Sequence, residues 1–288
     1  MRIVHLTDLH VQHLPALADF RPKRIIGTAN LYLAGRRHHF NLDAQSAAIR
    51  AATALSPDLT LITGDLTAQG LDSEFEAVHA LLKPLASAAP LYLIPGNHDL
   101  YVDEDTPGAR MRRFLGQWMS PTSPGIAHFG EVSALYVETC RPTWLSSGAT
   151  DLSHLDEAAQ LLEAARSFTF LCVHYPLIDR HGGRYGPSRR ANDQAAALDA
   201  WVRRQPQVGA ILHGHEHHGF RAILAGDHGD IHVLNPGASG YAWLPQQDRT
   251  AHFNVYTVEG GALQNVERYR WNGTDFQPEA GGAYATGR

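Results

Sequence analysis

The sequence predicts an α/β protein, and three observations support this. Short apolar runs alternate with amphipathic stretches along the chain. Several apolar runs are followed immediately by residues that can bind metals. In an α/β sheet, ligands bind in the loops that follow the strands. The 288 residues, 44% hydrophobic and 18% charged, can bury a substantial core. We expect one domain over residues 1–277, with a basic and apolar insertion at about 20–40 and a flexible tail at 278–288.

Ten strands are predicted from the apolar runs. Six precede the last cluster of metal-binding residues, at 2–7, 59–63, 91–94, 133–138, 168–173 and 208–212. Four more, separated by glycine and proline turns, follow at 220–224, 231–234, 253–258 and 263–269. The late strands indicate a second sheet edge built from the C-terminal part.

Four helices are predicted between the strands. Segments 41–55 and 192–204 have helical patterns. Ser73 with Glu76, and Ser153 with Asp156, form capping-box patterns at the start of two more helices.

Carboxylate, amide and imidazole side chains follow five of the predicted strands. They are Asp8, His10, Asp65, Asn97, His174, His215 and His217. The carboxyl ends of the strands should bring them to one edge of the sheet. Asp8 and His10, like His215 and His217, are two residues apart, so on an extended segment each pair would face one side. Glycines directly before several of these residues would allow sharp turns: Gly64, Gly96 and Gly214.

This set of donors predicts two metal ions. It contains no thiolate, and Cys140 and Cys172 are too few for a cysteine-ligated zinc or a disulfide framework. Carboxylate, amide and imidazole donors favour divalent or mixed-valence Mn, Fe, Co, Ni or Zn. Seven groups exceed the needs of one tetrahedral ion and suit two ions about 3.5–4 Å apart that share one carboxylate and a water.

At these residues the sequence resembles the calcineurin-like metallophosphoesterase superfamily. The blocks D-x-H, G-D, G-N-H-D, H and G-H-x-H occur in order between Asp8 and His217. The resemblance implies a four-layer α/β/β/α sandwich. It also implies that Asp8, His10, Asp65 and His217 hold the first metal, that Asp65 bridges, and that Asn97, His174 and His215 complete the second.

The expected reaction is hydrolysis of a phosphate ester. Two cations would bind the phosphate oxygens and lower the pKa of the water between them until it is hydroxide near neutral pH. His98 would contact the phosphate or protonate the leaving oxygen, and Asp99 would orient His98.

Two segments are candidates for substrate selection. Segment 21–39 carries Arg21, Lys23, Arg24, Arg36 and Arg37 and no acidic residue, interleaved with aliphatic residues. It is interpreted either as a cap over an anionic substrate with an apolar part, in contact with a membrane surface or lipid, or as a solvated helix. The arginines of segment 180–190 are interpreted either as phosphate contacts or as a plain surface loop.

The pattern is most similar to small bacterial phosphodiesterases that act on cyclic nucleotides or glycerophosphodiesters. The alternative is a UDP-diacylglucosamine-type pyrophosphohydrolase acting on a nucleotide-linked lipid. A non-catalytic protein-binding scaffold is the third interpretation, and such a scaffold would be expected to lack some of the metal-binding residues or His98. The net charge of -5 argues against nucleic-acid binding. No apolar run approaches the roughly 18 residues needed to span a bilayer, and a cytoplasmic protein, peripheral at the inner membrane surface, is expected.

Overall fold

The structure, a computed structural model, describes residues 1–104, 106, 108–186 and 188–280. Its strands are β1 (Arg2–Leu6), β2 (Leu59–Ile62), β3 (Leu91–Leu93), β4 (Gly125–Phe129), β5 (Val132–Tyr136), β6 (Phe168–Cys172), β7 (Val208–Leu212), β8 (Phe220–Gly226), β9 (Gly229–Asn235), β10 (His252–Glu259), β11 (Ala262–Trp271) and β12 (Phe276–Pro278). Its helices are α1 (Pro22–Tyr32), α2 (Leu42–Ala54), α3 (Asp72–Ala88), α4 (Ala109–Leu115), α5 (Leu155–Glu163) and α6 (Ala195–Val202).

The strands form two six-stranded mixed sheets. The first has the order β12-β11-β10-β1-β2-β3, with β1, β2 and β3 parallel and β10 antiparallel to β1. The second has the order β4-β5-β6-β7-β9-β8, parallel from β5 to β9 and antiparallel at both edges. Because the central strands of each sheet are parallel, their carboxyl ends lie at the same end of that sheet.

The sheets pack face to face, and helices cover their outer faces. Along β1, Ile3 points into the apolar core between the sheets, whereas Val4 points into the core beneath α2, α3 and α4. The alternation follows from the two-residue repeat of a strand. On the second sheet, Phe170 lies between the sheets and Leu171 packs beneath α5 and α6. The predicted α/β/β/α sandwich is confirmed.

Several predicted elements differ from the observed ones. The late strands do not form a separate edge, because β8 and β9 join the second sheet while β10 to β12 extend the first through β1. The prediction did not include β4, β12 or α4, and α1 forms within segment 21–39, for which a helix was one of the two interpretations. Neither predicted helix cap is used: α3 follows Leu71, whose amide donates to Glu74, and the short 3-10 turn before α5 is capped by Asp151.

The prediction of a flexible tail from residue 278 is wrong for its first residues. Pro278 pairs with Tyr269 in β12, and the buried Glu279 carboxylate accepts two hydrogen bonds from Arg268 at 2.6 and 2.9 Å. Residues 281–288 lie outside the described residues. No described helix combines the length and the apolar character required to cross a membrane.

Candidate metal centre

All seven predicted ligands lie together at one edge of the two sheets. They sit in the loops that follow β1, β2, β3, β6 and β7. Backbone hydrogen bonds join these loops: Asp8 donates to the Gly64 carbonyl at 2.9 Å, His10 to the Asp65 carbonyl at 3.0 Å, and Gly214 to the His174 carbonyl at 3.2 Å. These bonds tie the loop after β1 to the loop after β2, and the loop after β6 to the loop after β7, and so restrict the spacing of their side chains.

Most of the predicted ligands adopt a left-handed backbone conformation. The φ angles are 52° for Asp8, 50° for His10, 52° for Asp65, 68° for His215 and 62° for His217. The expectation that the two D-x-H and H-x-H pairs lie on extended segments is therefore wrong. A positive φ is uncommon for residues other than glycine, and its concentration in five ligands indicates that the site imposes it.

The glycines predicted to permit close approach do so in different ways. Gly64 has a φ of +92°. A Cβ on Gly96 would lie 2.2 Å from both the amide nitrogen and Oδ1 of Asp65. A Cβ on Gly214 would lie 2.1 Å from the Thr7 hydroxyl and 2.4 Å from Asp8 Oδ2. The backbone at Gly96 and Gly214 lies directly against the carboxylates of Asp65 and Asp8.

The first group of donor atoms comes from Asp8, His10, Asp65 and His217, all within 4.8 Å of one another. His217 Nε2 lies 3.3 Å from Asp8 Oδ1 and 3.0 Å from His10 Nε2. His10 Nε2 lies 3.6 Å from Asp65 Oδ2.

The second group contains Asp65, His174 and His215, and Asn97 joins it through its side-chain oxygen. His174 Nε2 lies 3.3 Å from Asp65 Oδ2 and 3.2 Å from Asn97 Oδ1. His215 Nδ1 lies 2.9 Å from the same Asn97 oxygen. Asp65 thus belongs to both groups, as the resemblance implied for a bridging carboxylate.

Hydrogen bonds to carbonyls show that bare ring nitrogens point inward. His174 Nδ1 donates to the Thr63 carbonyl at 2.7 Å, and His215 Nε2 donates to the Arg190 carbonyl at 3.1 Å. Carbonyls only accept, so in the neutral rings the opposite nitrogens carry lone pairs. These lone pairs face the Asn97 oxygen, which is another acceptor. A cation between these acceptors satisfies all of them, so the donor set fits a metal ion.

The electrostatics of the buried carboxylates also favour a cation. Burial opposes ionisation of Asp8, but hydrogen bonds from His10 and His217 outweigh it and hold the pKa of Asp8 well below its usual range. Burial likewise opposes ionisation of Asp65, whose pKa is nevertheless lowered, chiefly by His174 and His98. Burial disfavours the His174 cation, yet Asp65 and Asp8 raise the pKa of His174 to about 9, so without a metal ion the inward-facing nitrogen carries a proton that a metal ion would displace. Two buried anions therefore attract positive charge to this site.

The structure places His98 at the site but gives Asp99 a different partner from the predicted one. His98 Nδ1 donates to the Ala68 carbonyl at 2.7 Å, and burial lowers the pKa of His98 to about 4. The Asp99 carboxylate accepts from the Leu66, Thr67 and Gly96 amides and the Thr67 hydroxyl, at 2.9–3.2 Å. The prediction that Asp99 orients His98 is therefore wrong. Asp99 instead holds the loop after β2 against the loop after β3.

A cavity of about 620 Å³ opens above the predicted ligands. Asp65, Asn97, His98, His215 and His217 are part of its lining. The surrounding rim comes from three segments and includes Lys23, Ile26, Arg36, Arg141, Trp144, Arg189 and Arg190. Both segments predicted to select substrate therefore border the site.

Not every predicted cation reaches this rim. The Arg24 guanidinium is buried and donates to the backbone carbonyls of Asp19, Gln69 and Gly70 at 2.8–3.3 Å. Arg24 is therefore a structural residue rather than part of an anion-attracting rim. Arg180 pairs with Glu216 at 3.0 Å.

Sequence reasoning missed two contributions to the site. The loop with Arg141 and Trp144 forms one side of the cavity, although its sequence carries no metal-binding pattern. The Tyr241 hydroxyl lies 3.2 Å from His217 Nδ1, and its ring stacks on Phe40. The only sequence signal for Tyr241 was an aromatic residue in a glycine-rich turn.

The fold and the site define a two-sheet α/β protein with a candidate dinuclear metal centre. Residues 1–219 match the model of the calcineurin-like phosphoesterases, and the chain belongs to this family. The family implies two divalent metal ions, in agreement with the two donor groups.

Individual proteins show the same likeness. A 3',5'-cyclic-nucleotide phosphodiesterase from Nostoc sp. is 29% identical over 195 residues, which cover 66% of this chain and 65% of that protein. A purple acid phosphatase from yellow lupin superposes with a TM-score of 0.60 at 14% identity, covering 96% of this chain and 52% of that one. A dimetal phosphatase from Danio rerio gives a TM-score of 0.56 at 10% identity, covering 96% and 98%. At these identities the two solved structures show a common fold.

Proposed function

We propose that this protein hydrolyses phosphoric diesters at a dinuclear metal centre. The single observation that carries the proposal is the position of Asp65, whose carboxylate belongs to two separate groups of donor atoms. One shared carboxylate between two sets of nitrogen and oxygen donors is the arrangement suited to two metal ions.

Each ion has its own set of ligands in this proposal. Asp8, His10, Asp65 and His217 would hold one ion, and Asp65, Asn97, His174 and His215 the other. When bound, the ions would neutralise charge on the phosphate and make water a nucleophile near neutral pH.

His98 has the position expected of a residue that contacts the phosphate. His98 lines the cavity beside Asn97. Its hydrogen bond to the Ala68 carbonyl uses Nδ1, which leaves Nε2 free of that contact. The Asp65 carboxylate accepts from the His98 amide at 2.7 Å, which couples the position of His98 to the metal ligands. His98 is the proposed phosphate contact. Its Nδ1–H is donated to Ala68 and burial favours the neutral ring, so Nε2 would have to gain a proton, favoured by the anionic phosphate, before His98 could protonate the leaving oxygen.

A diester is favoured by the size of the cavity and by the relative from Nostoc. At about 620 Å³ the cavity lies within the usual range for organic ligands, so it has room for a group on each side of the phosphate. The relative that is 29% identical is called a cyclic-nucleotide phosphodiesterase. The basic rim supplies positive charge for an anionic ester.

A nucleotide-linked lipid pyrophosphate is the second candidate substrate. Lys23, Ile26 and Arg36, from the segment predicted to form a basic and apolar cap, line the cavity above the ligands. Aliphatic and cationic groups at one mouth would suit a substrate with both an acyl part and a charged part.

The test is a substrate panel with the metal-loaded protein and a matched Asp65→Asn variant. The panel contains bis(p-nitrophenyl) phosphate, p-nitrophenyl phosphate, 3',5'-cyclic AMP and a nucleotide-linked lipid pyrophosphate. We expect a higher kcat/KM for diesters than for the monoester, and no turnover by the variant. A preference for the monoester would refute the diesterase assignment. No turnover of any ester by protein carrying both metals would support the scaffold interpretation.

A further inference from the structure

Helix α1 turns its apolar side away from the protein. At about 100° per residue, Ile25, Ile26 and Leu33 fall within an arc of roughly 100°. These side chains are 53%, 55% and 87% exposed. Arg24 and Gly27, on the opposite side of the helix, are the buried residues. The helix thus buries a guanidinium and exposes aliphatic groups, the reverse of the usual orientation of a surface helix.

Specific contacts fix this orientation. Arg24 donates hydrogen bonds to the carbonyls of Gln69 and Gly70 at 3.3 and 2.8 Å. Gly27 lies so close to Tyr101 that a Cβ would be 2.3 Å from the tyrosine hydroxyl oxygen. Rotating α1 to bury its isoleucines would break these hydrogen bonds and this close contact. The outward apolar side is therefore built into the fold.

The exposed large apolar side chains extend beyond α1 and concentrate in two segments, each of which contributes to the lining of the cavity. Eight of the twelve large apolar side chains that are exposed in the described part of the chain lie in segment 14–33 or at 144–145. They are Leu14, Leu17, Phe20, Ile25, Ile26, Leu33, Trp144 and Leu145. Ile26, Trp144 and Leu145 line the cavity that also exposes several of the predicted metal ligands. Clustering of this kind marks a surface that binds something apolar.

The charges beside this surface favour an anionic partner, since the one acidic residue of segment 14–39, Asp19, is paired with Arg24 and Arg110. Segment 21–39 contains no acidic residue, and its exposed cations include Arg21, Arg36 and Arg37. Trp144 is 69% exposed, and tryptophan is enriched where proteins meet the polar headgroups of a bilayer. Aliphatic side chains flanked by arginines are the chemistry of helices that lie on anionic membranes.

We propose that α1, residues 14–20 before it and the loop at Trp144 and Leu145 form a docking surface for anionic lipid bilayers. In this arrangement the mouth of the cavity faces the membrane. The overall charge of -5 does not oppose docking, because screening limits the interaction to charges within about 10 Å of the headgroups. The proposal concerns binding and does not depend on the catalytic assignment.

The experiment is co-sedimentation of the metal-loaded full chain with vesicles. Vesicles of phosphatidylcholine alone are compared with an equal mixture of phosphatidylcholine and phosphatidylglycerol. The test variant replaces Leu17, Ile25 and Leu33 with serine; none of these residues lines the cavity. The control variant replaces Leu152 and Ile223, which are exposed elsewhere at 42% and 45%, with serine.

We expect the wild type and the control variant to bind the anionic vesicles more strongly than the neutral ones. The test variant should lose at least about tenfold in partitioning, because each aliphatic side chain removed from the bilayer forfeits its transfer free energy. Unchanged thermal unfolding and unchanged hydrolysis of bis(p-nitrophenyl) phosphate would show that the test variant is folded.

Three results would overturn the proposal. The first is a wild type that ignores anionic vesicles, and the second is a test variant that binds them as the control does. The third comes from light scattering: a wild-type dimer that becomes a monomer in the test variant would assign this surface to a second copy of the chain.

Discussion

Replacing Gly96 with alanine should destabilise the protein and disrupt its metal centre together. The added Cβ would lie 2.2 Å from the Asp65 amide nitrogen and Oδ1, and 2.8 Å from Asp65 Cγ. Asp65 has little freedom to move, since its carbonyl accepts from the His10 amide and its carboxylate from the His98 amide. Overpacking usually destabilises by about 1–3 kcal/mol, and we expect about 3 kcal/mol here because backbone atoms must shift.

The assay is urea unfolding of the metal-free protein, followed by metal analysis after reloading. Gly96→Ala should lower the free energy of unfolding and reduce the content of both ions, because Asp65 serves both donor groups. Gly116→Ala is the matched control: its φ is -57° and the nearest atom to its added Cβ lies at 3.8 Å, so its stability should stay within about 0.5 kcal/mol. A Gly96→Ala protein with wild-type stability and full metal content would refute the close approach of Gly96 to Asp65.

Three further predictions concern a buried arginine and two histidines. Arg24→Leu should lower the free energy of unfolding by at least about 2 kcal/mol, because it leaves buried carbonyls unpaired. The control Arg37→Leu, at an exposed residue, should change it by less than about 0.5 kcal/mol. Equal effects of the two substitutions in urea unfolding would contradict the structural role of Arg24. His98→Ala should reduce kcat about 10²–10⁴-fold while the metal content stays normal. The control His79→Ala should leave kcat unchanged. An unchanged rate of His98→Ala on a diester with a poor leaving group would remove His98 from its proposed role. Burial lowers the pKa of His5 to about 3. Between about pH 3 and 6.5 the His5 ring is therefore protonated only in the unfolded state, so the free energy of unfolding falls as the pH is lowered through that window. His5→Gln should reduce this slope by up to about 1.4 kcal/mol per pH unit, and identical slopes in metal-free protein would contradict the assignment.

The sequence predicted which residues gather at the candidate metal centre because their identities and order are local properties of the chain. Asp8, Asp65 and His174 each follow an apolar run that forms a parallel strand, so their convergence follows from the strand directions. The resemblance to the calcineurin-like family, and the four-layer fold that it implied, were confirmed by the family match and by the two sheets with their outer helices. The left-handed backbone of Asp8 and Asp65 could not be predicted, since it is imposed by neighbouring loops and not by residue type.

The sequence could not give contacts that depend on side-chain direction. Asp99 follows His98 in the chain, but the two side chains diverge, and Asp99 binds amides more than 30 residues away, as in its contact with Thr67. From the sequence, Arg24 was grouped with the other cations of segment 21–39 as part of an exposed cap. Its helical phase sets it apart from Ile25 and Leu33, but the carbonyls that bind it come from a distant loop. β12 was missed because a three-residue strand carries almost no periodic signal.

The most direct test of the account is the number of metal ions bound by the wild type and two variants. After loading and dialysis, elemental analysis of the wild type should give about two ions per chain. Asp65→Asn should reduce the content of both ions, whereas Asn97→Ala should reduce only one, because Asn97 contacts only the donor group of His174 and His215. One fully occupied ion per wild-type chain, or an Asp65→Asn protein that keeps both ions, would contradict the shared carboxylate on which the proposed function rests.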